Sequence, residues 1–345
     1  PLWLPATVTV ALLLSLNLTT VRAFGEIEFW FSIIKIVAIL ALVVVGIVLV
    51  AIGFTAPNGA VASLGNLGDL SDPVGSLFPN GFSGFTGAFQ IAVFAFVGTE
   101  LIGTAAAEAK DPEVTLPKAI NAIPVRILLF YLGALTAIMM VTPWREVTES
   151  SPFVAMFSLA GFGLAASLVN FVVLTAAASS ANSGMYSTSR MLYGLSWSEH
   201  GPAIFKRLTS RSVPGPALVV TCAALLTAIP LLYTTSSIID AFTVVTTVAS
   251  VLFILVWIII VVSYLRFRSL HPERHEASAF KMPGDRVSAW ASIVFFAFVV
   301  WTLIQAEDTR LAVLVSPLWL VVMASAWWWL RSGAARRLAG ALRRR

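Results

Sequence analysis

Nine apolar runs follow one another along the 345 residues, and nearly all charged residues fall in the connectors between them. That pattern restricts the chain to a lipid solvent. A helix needs about 20 apolar residues to cross the hydrocarbon core of a bilayer. The runs cover residues 2–21, 29–54, 85–107, 120–141, 164–195, 217–233, 238–264, 287–304 and 311–330, the sixth being the shortest. They are continuous rather than strictly alternating, which argues for helices over a membrane β-barrel. The sequence therefore predicts an all-α integral membrane fold of about nine transmembrane helices, with residues 1–345 forming one transmembrane domain.

Composition agrees. Only 11% of residues are charged, against about 25% in soluble domains, so no soluble fold of this length hides the apolar remainder. A net charge of +5 could suggest a nucleic-acid partner, but the basic residues form no amphipathic face and sit in short connectors, so no nucleic acid is expected. The implied partner is membrane lipid. The single cysteine, Cys222, lies inside an apolar run and reads as a small core residue, which excludes a disulfide framework or a Cys-based metal site.

Orientation follows from the lysines and arginines. With the C-terminus cytoplasmic, 19 of the 22 basic residues fall inside, Arg145 and Arg310 fall outside, and Lys35 lies within a span. Nine spans then place Pro1 outside. Pro1 opens directly into an apolar run without a Met or a basic n-region, so the expectation is an N-terminally truncated chain whose missing partner is the N-terminal helices of its own parent.

Ionisable groups inside a span are costly and are functional candidates by default. Glu100 lies about eight residues, ~12 Å of helix, from the end of the third run, between Gly98 and Gly103. Two glycines around an acid predict a broken helix, whose unpaired backbone groups bind charged ends of a substrate. Phe94 and Phe96 are placed to close over such a ligand. The alternative is that the glycines serve helix packing and Glu100 makes one buried hydrogen bond. Lys35 sits about six residues, ~9 Å, inside the second run. It either snorkels to the interface or is a desolvated amine that exchanges a proton. Residues 176–184 are a run of small side chains suited to close packing, and Ser179, Ser180, Asn182 and Ser183 are also able to hydrogen-bond a neighbouring Lys or ion. Thr243, Thr246 and Thr247 have the spacing of a weak polar stripe.

His271, His275 and Glu276 imitate metal-ligand spacing, but a Pro-containing basic connector without a clear third ligand reads as a solvated loop, so no metal is expected. Residues 55–84, rich in Gly, Asn, Ser and Pro, predict the longest loop. Ser151 and Pro152 predict an N-cap opening a short surface helix. The sequence holds no phosphate-binding glycine loop, no Gly-x-Ser-x-Gly elbow and no His-Glu-x-x-His. An ATP-driven pump, a familiar membrane hydrolase or any enzyme requiring a cofactor is thereby disfavoured.

The stretch from Phe94 to Glu100, the run Ala107-Glu-Ala-Lys-Asp-Pro-Glu113 and Leu116-Pro-Lys-Ala-Ile-Asn121 resemble the bacterial amino-acid transporter family of the amino acid/polyamine/organocation superfamily. Ser179-Ser-Ala-Asn-Ser-Gly184 and Ser187-Thr-Ser-Arg-Met-Leu192 are similar to elements shared widely in it. Val141-Thr-Pro-Trp144 and Lys281-Met-Pro283 are similar to a narrower group that takes up D-alanine, D-serine and glycine. The resemblance implies a partial inverted-repeat, leucine-transporter-like amino-acid permease fold lacking its first three helices, in the bacterial cytoplasmic (inner) membrane. It implies a proton symporter importing small neutral amino acids by alternating access. By resemblance, Phe94 corresponds to the aromatic gate, Ala95, Val97, Gly98 and Thr99 to the broken backbone facing substrate, and Glu100 to the acid beside it. Lys35 corresponds to the lysine of the proton-coupling site, and the hydroxyls of Ser179, Ser180 or Ser183 are expected to stabilise its protonated form. The rival readings are a permease of the same family for lysine, aromatic residues or γ-aminobutyrate, and, from other classes, a channel or a membrane-embedded enzyme or sensor.

Overall fold

The computed structural model describes residues 3–19, 21–56, 59–68, 78–104, 111–146, 151–159, 161, 163–234, 237–278, 280–305 and 307–331. Most of these residues are helical, and their one β-type contact is an isolated bridge between Thr55 and Val61. The helices are α1 Trp3–Asn17, α2 Val21–Ala51, α3 Gly81–Gly87, α4 Phe89–Phe96, α5 Leu101–Thr104, α6 Pro112–Arg126, α7 Gly133–Val141, α8 Pro152–Leu159, α9 Gly163–Trp197, α10 Gly215–Leu226, α11 Ala228–Thr234, α12 Ile238–Leu270, α13 Pro272–Ala277, α14 Asp285–Gln305 and α15 Glu307–Arg331.

Six helical stretches among the described residues are long and apolar enough to cross a bilayer: Gly25–Ala51, Gly81–Gly103, Pro112–Val141, Ala166–Trp197, Ile238–Leu270 and Asp285–Gln305. The other three expected spans appear as shorter apolar helices, Trp3–Asn17, Gly215–Leu231 and Ala312–Trp328. The last of these is the apolar part of the 25-residue α15, and the other two end at local features. Thr19 turns its hydroxyl onto the Leu16 carbonyl just past the end of α1. Pro230 has no N–H for the Leu226 carbonyl, and the sixth run divides there into α10 and α11.

Long apolar side chains such as Trp30, Val37, Val44, Ile47, Ile259 and Val294 cover the outer faces of the helices. In water such a surface is unfavourable; in hydrocarbon it costs nothing, and the backbone groups are satisfied inside each helix. The inner faces gather into three clusters. Leu42, Ala137, Ile138, Val141 and Met156 join α2, α7 and α8. Val93, Ile254, Val299, Leu303 and Val313 join α4, α12, α14 and α15. Leu13, Met185, Leu218 and Cys222 join α1, α9 and α10. Cys222 thus occupies the core position its apolar surroundings suggest.

Two connectors differ from the sequence reading. The short helix after Ser151 forms, but Met156 and Phe157 are buried in the first cluster, so α8 is a packed element and not a surface one. The expected long loop carries local structure among its described residues: a 3-10 turn spans Leu64–Leu67, Asn66 donates to the carbonyls of Val61 and Met140, and α3 opens at Gly81. The motif residues 105–110 and the tail beyond 331, which carry part of the family pattern and of the orientation argument, lie outside the described residues.

Candidate functional site

The third apolar run is helical up to Phe96, leaves the helix over residues 97–100, and resumes for one turn in α5. Val97 is extended, and Gly98 has φ of 103°, a backbone conformation in which glycine is favoured because it has no Cβ. Gly103 stays inside α5, so the break rests on Gly98 alone of the two flanking glycines. Four tight turns replace the helical ladder: the N–H groups of Val97, Thr99, Leu101 and Gly103 bond to the carbonyls of Phe94, Phe96, Gly98 and Glu100.

Side chains cover part of the freed backbone. The Glu100 carboxylate folds back onto the Gly98 N–H, at 3.0 and 3.1 Å to its two oxygens. The same carboxylate accepts from the Trp257 indole N–H of α12 at 3.2 Å. The Ala95 carbonyl accepts from the Tyr131 hydroxyl at 2.8 Å. Tyr131 stands in a π-helical segment, Ile127–Leu132, between α6 and α7; such segments re-aim side chains. Phe94 meets Phe242 of α12 edge to face, with ring centroids 6.0 Å apart. Phe96 and Thr99 lie toward an apolar cavity of about 460 Å³ whose wall includes Phe89, Val93, Trp257 and Phe296.

Lys35 lies on a second, separate polar contact. Its Nζ donates to Ser179 Oγ of α9 at 2.9 Å, and Ser179 Oγ donates to Glu28 Oε1 at 2.6 Å. The Lys35 ammonium and the Glu28 carboxylate are 3.8 Å apart. Ser179 and Asn182, one turn apart on the inner face of α9, are both 0% exposed. Asn182 accepts from Asn17 Nδ2 of α1 at 2.7 Å. Of the remaining serines in the small-residue run, Ser180 is exposed and donates to the Ala176 carbonyl of its own helix, and Ser183 is half-buried. Ser179 thus meets Lys35, while Ser180 turns away from it. Among the described residues no hydrogen bond joins this contact to the break at Gly98.

Thr246 and Thr247 are buried, and their hydroxyls bond carbonyls of their own helix. Residues 272–277, expected as a solvated loop, form the helix α13 instead. His275 is buried there, with Nε2 3.1 Å from the Tyr264 hydroxyl, which donates to Asp285. Asp285 also pairs with Arg268. Among the described residues no group of three His, Cys, Asp or Glu side chains is arranged to hold a metal ion.

Sequence reasoning passed over four residues: Glu28, Trp257, Tyr131 and Asn17. Glu28 had a signal, since it precedes Lys35 by seven residues and two helical turns return it to the same face. Trp257 and Tyr131 had none, because apolar periodicity does not say which neighbour a ring on a span will meet.

The sequence matches the amino acid permease family over residues 1–338. It is 52% identical to the D-serine/D-alanine/glycine transporter of Escherichia coli strain K12 over 326 residues, 94% of this chain and 68% of that protein. It is 48% identical to the amino-acid permease AapA of Bacillus subtilis strain 168 over 324 residues, 94% of this chain and 69% of the relative. It is 38% identical to the DL-alanine permease SerP2 of Lactococcus lactis over 325 residues, 93% of this chain and 69% of the relative.

Proposed function

This chain belongs to the amino acid permease family, and we propose that it acts as a proton symporter importing D-alanine, D-serine and glycine across the bacterial inner membrane. It is an amino-acid transporter with membrane-spanning helices; the choice of substrates is supported by relatives whose names specify small amino acids. The observation that carries the site is the break at Gly98, where a carboxylate and backbone polar groups meet inside an apolar span. A zwitterion needs both signs of partner: the acid of Glu100 suits its ammonium, and the Gly98 N–H that this acid now covers suits its carboxylate. Phe94 closes over the ligand, and Ala95, Val97, Gly98 and Thr99 face it. Phe94 stands edge to face with Phe242 beside the break, and a small substrate side chain is the reading for that position.

Lys35 carries the proton, with Ser179 as its hydrogen-bond partner. A proton entering with a net-neutral zwitterion gains about 2.3 kcal/mol per 100 mV of membrane potential. In this orientation the N-terminal end of α2, near Arg22, faces the cytoplasm, as does the C-terminus.

Competition uptake tests the reading. Labelled glycine should be displaced by D-alanine and D-serine and not by lysine or phenylalanine; displacement by lysine or phenylalanine alone would assign a different permease substrate. Saturation separates a transporter from a channel.

A further inference from the structure

We propose that Glu28 is the acceptor that takes the coupling proton from Lys35 and passes it toward the N-terminal end of α2, with Ser179 as the relay. The inference rests on the reading of Lys35 as the coupling residue and names the group that reading lacks, a place for the proton to go.

The hydrogen bonds run head to tail. Lys35 donates to Ser179, and Ser179 donates to Glu28, so each donor already points along the direction of transfer. As an N–H bond of the ammonium breaks, its proton forms an O–H bond on Ser179 while the original hydroxyl proton moves to Glu28 Oε1. The hydroxyl is regenerated, and an ammonium and a carboxylate become an amine and a carboxylic acid. No net charge moves off the pair. Burial penalises both charges, and one transfer removes both at once.

Position gives the direction. Glu28 lies seven residues before Lys35 on the same face of α2, about 10 Å nearer the helix start. The side chain offers a second oxygen for the exit step: Glu28 Oε2 is buried and makes no hydrogen bond among the described residues. Asn182 Nδ2 is likewise buried without a partner among them, one turn beyond Ser179 on α9. Asn17 joins Asn182 from the end of α1. A buried acceptor and a buried donor are thus left over on adjoining helices α2 and α9 beside the relay, and the proposed route takes the proton past them toward the start of α2. The acid of Glu28 then releases its proton to water there, and the carboxylate is restored for the next cycle.

Among the described residues few other charged groups lie on the helices packed around the trio. The described part of α1 and all of α7 carry no Asp, Glu, Lys, Arg or His. On α9 the charged side chain is Arg190, three turns past Ser179 and held over the ring of Tyr186. On α2, Glu26 is exposed beside Glu28; Arg22 lies further toward the helix start.

The test uses the full-length protein in proteoliposomes, with labelled glycine uptake driven by a pH difference of one unit, which supports at most about tenfold accumulation per proton. Glu28→Gln keeps the acceptor for the Ser179 hydroxyl but cannot take a proton. We expect its accumulation to fall to simple equilibration while glycine counterflow continues, and Ser179→Ala to behave alike. Lys35→Gln reports on the underlying reading. Should Lys35→Gln lose pH-driven accumulation and Glu28→Gln retain it, Glu28 is not the acceptor; should Lys35→Gln retain it, the coupling reading itself is overturned. If Glu28→Gln does not insert, Glu28→Asp decides: a carboxylate one methylene shorter should shift the pH dependence of uptake, and an unmoved profile overturns the proposal.

Discussion

The indole of Trp257 donates to Glu100 across 3.2 Å, tying α12 to the break in the third span through the same carboxylate that holds the Gly98 N–H. The bond aims the acid, because two donors on different elements fix its plane. Trp257→Phe keeps an aromatic ring in the wall and removes only the N–H. A hydrogen bond to a charged group is worth about 1.5–3 kcal/mol, and Glu100 is partly exposed, so we expect the lower part of that range, a rise of about tenfold in KM for glycine. Uptake kinetics at matched membrane levels check it; an unchanged KM would make the indole a packing residue only.

Gly98 supplies the backbone that the break requires. A Cβ there meets no atom within 4 Å, so space is not the obstacle; a φ of 103° is. Strain of about 1–3 kcal/mol opposes the broken conformation in any other residue, and at the proposed site a leucine would also reach into the substrate's approach. Gly98→Leu should insert normally and lose uptake by about tenfold or more. Binding of labelled glycine at wild-type affinity in that variant would show that the break is not the binding element.

Close packing of α2 on α7 makes a separate and purely structural prediction. A Cβ on Gly46 would stand 2.8 Å from the Ala137 Cβ, closer than two carbons tolerate. Gly46→Ala should lower the thermal unfolding midpoint in detergent, since overpacking costs about 1–3 kcal/mol. Ala137→Gly in the same chain should restore part of the loss. If the double variant melts no higher than Gly46→Ala alone, the two positions are not coupled.

The sequence carried the fold class because hydrocarbon imposes one simple demand, long apolar runs, and the break because Gly98 beside an acid is rare in such runs. It did not carry the partners. Glu28 was missed because the apolar run was counted from Phe29, although the helix begins at Val21 and carries the acid on its inner face. Ser180 looked equivalent to Ser179 in a run of small residues, yet 100° of helical rotation turns it outward. His275 looked solvated because its neighbours in sequence are charged; its neighbours in space are Tyr264 and the start of α14. Local pattern fixes which residues lie in the membrane, whereas contacts between distant spans depend on packing that a pattern does not encode.

The last prediction separates a proton carrier from an interfacial anchor at Lys35. A snorkelling lysine directs its ammonium away from the helix packing, toward headgroups and water. Here Nζ instead bonds Ser179, a side chain with 0% exposure in the contact between α2 and α9. Lys35→Arg distinguishes the roles because arginine preserves the positive charge and reaches the interface at least as well, but does not give up its proton under any condition a cell meets. An anchor survives that exchange. A carrier does not: with a permanent charge facing Glu28, the pair never becomes neutral and the inward step has no proton to release. We expect Lys35→Arg to insert at wild-type levels and to lose accumulation driven by a pH gradient. Glycine uptake in Lys35→Arg that still rises with external acidity as in the wild type would identify the residue as an anchor.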